Sequence, residues 1–155
     1  MTEATAKGDA MDKNEIVVNC CYLEAEKYKD GLDGWLGILE NNKHVPFEIK
    51  RVYFIYNLIN HEAAVRGKHA HKRLEQALFC ISGACDITVD DGRERRTITL
   101  NKTHTGLYIG PRLWHEMKNF QDNCILLVLA SDLFDEDDYI RDYHRFTEYV
   151  MKGRT

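Results

Sequence analysis

Short runs of strand-forming residues return along this chain at intervals of about ten residues, each closed by glycine, asparagine, aspartate or serine, and that cadence leaves few folds open. Glu15 to Leu23 reads as a first strand, and the Asp30-Gly31 and Asp33-Gly34 pairs mark turns before Trp35-Leu36-Gly37-Ile38-Leu39. Phe47 to Tyr56 has strong strand propensity, with Ile49, Arg51, Tyr53 and Ile55 on one face and Lys50, Val52, Phe54 and Tyr56 on the other. Bulk on both faces predicts a strand covered on two sides. Gln76 to Ile81, a turn at Ser82-Gly83, and Ala84 to Val89 follow; Asp90-Asp91-Gly92 then signals a hairpin into Arg95 to Leu100. Thr105 to Ile109, Trp114 to Met117 and the apolar Cys124 to Ala130 complete the set. The pattern predicts an all-β sandwich or barrel. At the end the period changes: Ile140, Tyr143, Phe146 and Val150 recur at helical spacing behind the acidic Asp135-Glu136-Asp137-Asp138, which predicts one amphipathic helix over about residues 136 to 151.

The chain has 155 residues, enough for one domain with a real core, expected over residues 15–155 behind a polar, disordered leader at residues 1–14. No apolar run approaches the roughly 20 residues of a membrane span, and a net charge of -4 excludes the basic surplus of a nucleic-acid binder. Neither a membrane nor a nucleic acid is expected as a partner. The five cysteines, Cys20, Cys21, Cys80, Cys85 and Cys124, are odd in number and form no CxxC pair, which fits a reducing compartment. Without the basic-then-apolar layout of a signal peptide at the N-terminus, a cytoplasmic location is expected.

Chemistry concentrates in Arg66 to Gln76. In an extended segment His69 and His71 point one way while Lys68, Ala70 and Lys72 point the other. Two imidazoles then share one wall, and the apolar residues that follow predict that this wall faces a concave interior. Paired imidazoles in a cavity serve as metal ligands or as proton carriers. As plain barrel residues they would simply be hydrogen-bonded. Trp114, Tyr108 and Tyr53 likewise have a competing reading as core aromatics.

His69-x-His71-x3-Glu75, a glycine at 83, and Pro111 ahead of His115-x3-Asn119 resemble the two motifs of the cupin superfamily, although two intervals differ by one residue and a glycine before His115 is absent. In a metal-binding cupin the ligands implied are His69, His71, Glu75 and His115. A non-catalytic sugar-binding cupin is a further alternative.

A longer set of elements runs from Pro46 to Tyr149. It comprises Lys50-Arg51-Val52-Tyr53, Arg66-Gly67-x-His69-Ala70-His71-Lys72, Leu74-Glu75-Gln76, Gly106-Leu107-Tyr108-x-Gly110-Pro111, Trp114-His115-Glu116-Met117, Leu129-Ala130-Ser131 and Asp138-Tyr139-Ile140-Arg141-x-Tyr143. In order and spacing this set resembles the dTDP-sugar 3,4-ketoisomerases, which act on dTDP-4-keto-6-deoxy-D-glucose. The resemblance implies a double-stranded β-helix jelly roll, a homodimer with exchanged N-terminal strands, a dTDP-linked keto sugar as partner, and catalysis with no metal or other cofactor. Moving a ketone from C4 to C3 needs a base, an acid and a group that holds the enediolate. His69 and His71 are the candidate base and proton relay, and Tyr53 the acidic hydroxyl or oxyanion stabiliser. Arg66, then Arg51, are the candidates for the pyrophosphate, because a guanidinium fork matches phosphate oxygens. Gln76, Tyr108, Trp114 and His115 complete the expected substrate contacts, Trp114 offering a flat face to sugar or thymine. One departure stands out: Asp33 occupies a place where relatives tend to carry arginine.

Overall fold

The computed structural model describes residues 15–58 and 63–153. The expected leader and the polar loop around Asn60-His61-Glu62 lie outside the described residues. Among the described residues the strands are β1 (Glu15–Val17), β2 (Cys20–Glu24), β3 (Glu26–Lys29), β4 (Trp35–Ile38), β5 (Arg51–Ile55), β6 (Arg66–His71), β7 (Gln76–Asp90), β8 (Arg95–Leu100), β9 (Thr105–Ile109), β10 (Trp114–Ala130) and β11 (Tyr139–Ile140), followed by the helix α1 (Tyr143–Lys152).

Two long strands organise the molecule. β7 and β10 pair antiparallel along almost their whole length, from Trp114 opposite Asp90 to Ala130 opposite Gln76. The first part of β7 takes β9 on its other edge and the second part takes β8, while β10 takes β6 near its start and β5 near its end. One nine-stranded sheet therefore curls into two layers, the jelly roll expected, and its interior is filled by Leu78, Ile87, Val89, Leu107, Phe120, Leu126 and Val128, all buried. β3 and β4 form a separate two-stranded ribbon. Among the described residues no helix is long and apolar enough to cross a membrane.

Ser82-Gly83 is not a hairpin turn. β7 runs straight through it, bending at Gly83 (φ +69°), and β10 answers with register shifts between Lys118 and Leu126, so the pairing survives the bend. The first expected strand is in fact the hairpin β1–β2, turned at Asn19 (φ +65°). Phe47 to Tyr56 contributes only Arg51–Ile55 as β5, and that strand is not covered on both sides: Val52, Phe54 and Tyr56 are 54%, 58% and 59% exposed.

The helix also starts later than its periodicity implies. Glu136–Asp138 form a 3-10 turn capped by Asp135, and Tyr139–Ile140 then pair as β11 with His71 and Ala70 of β6. The sheet edge outcompetes the helix there. Asp142, not the acidic cluster, caps α1 by accepting from the Arg145 amide. Phe146 and Val150 of α1 bury against Trp114, Ala70 and Ile140, each contributing about 1.5 to 3 kcal/mol.

Candidate active site

β6 presents His69 and His71 on one side and buries Ala70 on the other, under α1. The two rings meet edge to face with centroids 4.8 Å apart, and His115 of β10 stands 4.6 Å from His69 and 5.8 Å from His71. Tyr139 of β11 lies across the pair, 4.8 Å from His69 and 4.4 Å from His71.

Each imidazole is held through its Nδ1. His71 Nδ1–H donates to the Asp138 carboxylate at 3.1 Å, His69 Nδ1–H to the Gly67 carbonyl at 3.0 Å, and His115 Nδ1–H to the Leu113 carbonyl at 3.5 Å. The basic nitrogen of each ring is therefore Nε2. Asp138 is itself fixed by the Arg73 and Leu74 amides. Burial pushes all three imidazoles below the ordinary histidine value: His69 down, His71 to about 4 with help from neighbouring His69, and the fully buried His115 well down. At neutral pH the cluster is uncharged.

Histidines depressed in the folded state take up protons on unfolding, so stability is full above about pH 6.5 and is lost as pH falls toward the folded value. For His71 that window ends near 4, and its full loss is on the order of 3 kcal/mol. Urea midpoints measured at about pH 7 and about pH 4.5 should drop for the wild type and drop less for His71→Asn. Equal drops in both proteins would contradict the assignment.

In front of His69 opens a cavity of about 540 Å³ lined by Arg51, Tyr53, Arg66, Met117, Tyr139 and Arg141, a size that suits a small-molecule ligand. Among the described residues that line it, three are arginines and none is acidic. The Tyr53 hydroxyl accepts from Gln76 Nε2 at 2.7 Å, and burial pushes it up to about 12, so it remains a proton donor at neutral pH. Arg51 lies over the Tyr53 and Phe134 rings with a buried Nε that has no partner among the described residues, while Arg141 is gripped by Glu136 through two bonds of 2.8 and 2.9 Å.

Of the residues expected from the sequence, Arg51, Tyr53, Arg66 and His69 come together on the cavity wall, and Gln76 reaches it through Tyr53. His71 and His115 sit behind His69, 3% and 0% exposed. Two residues lie elsewhere. Trp114 is 4% exposed and packs edge to face on Tyr143 beneath α1, so it offers no open face to a ligand. Tyr108 belongs to the opposite side of the sheet, where it packs near Phe47 and donates to Glu75 at 2.8 Å. The same bond removes Glu75 from the histidines. The four-ligand metal set His69, His71, Glu75 and His115 does not assemble: three nitrogens converge, and the carboxylate faces away. Asp138, Tyr139 and Arg141 join the site although the sequence analysis expects no role for them. Their signal was the string Asp138-Tyr139-Ile140-Arg141, masked by its resemblance to a helix start.

Residues 18–151 match the family model described as FdtA, WxcM-like, C-terminal. The chain belongs to this family. Over 119 residues, 77% of this chain and 84% of the relative, it is 50% identical to the TDP-4-oxo-6-deoxy-alpha-D-glucose-3,4-oxoisomerase of Aneurinibacillus thermoaerophilus. Among solved structures it is similar to the TDP-quinovose 3,4-ketoisomerase of Campylobacter jejuni, with 49% identity, a TM-score of 0.80, and coverage of 85% of this chain and 99% of that one. It is also similar to the 3,4-ketoisomerase of Thermoanaerobacterium thermosaccharolyticum, there a histidine-to-asparagine variant in complex with TDP-4-keto-6-deoxyglucose. Identity is 38%, the TM-score is 0.83, and the match covers 88% of this chain and 97% of that one. The family resemblance read from the motif set therefore holds.

Proposed function

We propose that this member of the FdtA-like family is a sugar-nucleotide 3,4-ketoisomerase, converting dTDP-4-keto-6-deoxy-D-glucose to a dTDP-3-keto-6-deoxyhexose for deoxyamino-sugar synthesis. The observation that carries the reading is an uncharged imidazole, His69, and a protonated phenol, Tyr53, on the wall of one cavity in which the charged residues, among those described, are arginines. His69 Nε2 takes the proton from C3, made acidic by the C4 carbonyl. The Tyr53 hydroxyl gives its proton to O4 and recovers one from the C3 hydroxyl, which moves the enediol to the new ketone. The imidazolium exchanges that proton with solvent and then protonates C4. Every proton is accounted for by these two side chains, so the reaction balances without a metal or other cofactor. His71, tied to Asp138, fixes the ring beside it, and His115 closes the cluster from behind. The pyrophosphate lies against Arg66 and Arg51.

The metal-dependent alternative loses its carboxylate to Tyr108, and a pure binding protein needs neither the depressed imidazole nor the phenol. Incubation with dTDP-4-keto-6-deoxyglucose in deuterium oxide tests the scheme. A 3-keto product carrying deuterium at C4 is expected; neither product nor exchange would overturn it.

The protein acts as a cytoplasmic homodimer with exchanged N-terminal strands. The uncovered face of Val52, Phe54 and Tyr56 supports this, as does the β3–β4 ribbon, whose Trp35 and Leu36 are 66% and 57% exposed. A single-chain mass in sedimentation equilibrium would refute it.

A further inference from the structure

Away from the histidines, three thiols converge where the two long strands bend. Cys80 and Cys85 of β7 and Cys124 of β10 are all buried, and their sulfurs lie within 4.8 Å of one another, with Cys80 and Cys124 3.6 Å apart. In a regular strand residues five apart face opposite sides. The bend at Gly83 reverses that parity, so Cys80 and Cys85 both point inward, at 1% exposure each. β10 delivers Cys124 from a stretch in which Asn119, Asp122 and Asn123 all adopt left-handed backbone. A cavity of about 420 Å³, lined by Phe120, Asp122, Asn123, Cys124 and Leu58, opens beside Cys124 and gives a route inward. None of the three cysteines lines the cavity in front of His69.

We infer that Cys80, Cys85 and Cys124 form a trithiolate site for a soft, thiophilic d10 cation of the Cu(I) or Cd(II) kind. Zinc-like metal–sulfur bonds of about 2.3 Å in trigonal or tetrahedral geometry set sulfurs roughly 3.8 to 4.0 Å apart, and the larger Cd(II) sets them somewhat further. One separation of 3.6 Å, with all three sulfurs within 4.8 Å of one another, brings the thiols close to that requirement. The donor set selects the ion: sulfur alone favours soft cations over magnesium, calcium or manganese. Binding converts three thiols to thiolates and releases three protons, M²⁺ + 3 RSH → M(SR)₃⁻ + 3 H⁺, with no change of oxidation state. The ion supplies the charge that lets three thiolates share a buried space.

Cd²⁺ titrated into the reduced, folded protein tests the site. The expected result is one ion per chain, thiolate-to-cadmium charge-transfer absorption in the ultraviolet, release of three protons and a raised Tm. His69→Asn should retain the absorption, which separates this site from the histidine cluster; Cys20→Ser and Cys21→Ser should retain it too. Cys80→Ser and Cys124→Ser should lose it. Absence of the absorption in the native protein, its survival in both of those variants, or its loss in His69→Asn would each overturn the assignment. Should the cysteine variants not fold, the native titration still decides, because uptake without three released protons or without a rise in Tm excludes a trithiolate in the folded core.

Discussion

His69→Asn should lower kcat/KM for the 3,4-isomerisation by about 10²- to 10⁴-fold while leaving nucleotide binding close to that of the wild type. His69 is the histidine of the cluster that lines the cavity, and its Nδ1–H is committed to the Gly67 carbonyl, so Nε2 alone is free to take a proton. An asparagine amide occupies part of the same space and has no comparable basicity. The loss should therefore fall on kcat. Substrate should still be held, since the arginines of the cavity are untouched. Arg66→Ala should show the reverse pattern, a raised KM with kcat nearly kept, because a phosphate contact binds ground state and transition state alike. Steady-state kinetics of both variants decide between them. If His69→Asn keeps more than about a tenth of wild-type kcat, the proton transfer belongs to another residue.

Much of this site was legible because a strand has period two. Alternation alone puts His69 and His71 on one side and Ala70 on the other, and Arg51 with Tyr53 on one side of β5. The same rule, applied strictly, argues against two expectations. Trp114 and His115 are neighbours in β10, so they cannot both face the substrate; His115 joins the histidines and Trp114 turns under α1. Glu75 and Gln76 part company in the same way, one toward Tyr108 and the other toward Tyr53. Other features depend on partners far along the chain. Ile140 keeps helical spacing with Tyr143, Phe146 and Val150, and only the free edge of β6 makes Tyr139–Ile140 a strand. That pairing lays Tyr139 over His69 and His71 and sets Asp138 behind His71, a consequence that no local pattern carries. Ser82-Gly83 has turn chemistry, yet the bulged β10 opposite keeps β7 paired through it.

Gly83→Ala should destabilise the protein by about 2 to 5 kcal/mol, a large part of the roughly 5 to 15 kcal/mol that holds a domain folded. Two effects combine. The backbone there has φ +69°, which costs a residue with a Cβ about 1 to 2 kcal/mol. The added Cβ would also sit closer than 3.0 Å to the Gln121 and Asp122 carbonyl oxygens and the Cys124 amide, all backbone atoms of β10. A flexible side chain could swing aside; a strand whose own Phe120 and Leu126 are buried in the core cannot, so the strain spreads into the core at about 1 to 3 kcal/mol. Gly31→Ala provides the control. Gly31 has φ +51° in the turn between β3 and β4, and a Cβ there meets nothing within 4 Å, so only the backbone cost applies. Urea denaturation of the two variants separates the contributions: the midpoint should fall much further for Gly83→Ala than for Gly31→Ala. Equal shifts would mean that β10 yields to the methyl group, and that the two long strands are not locked together at their bend.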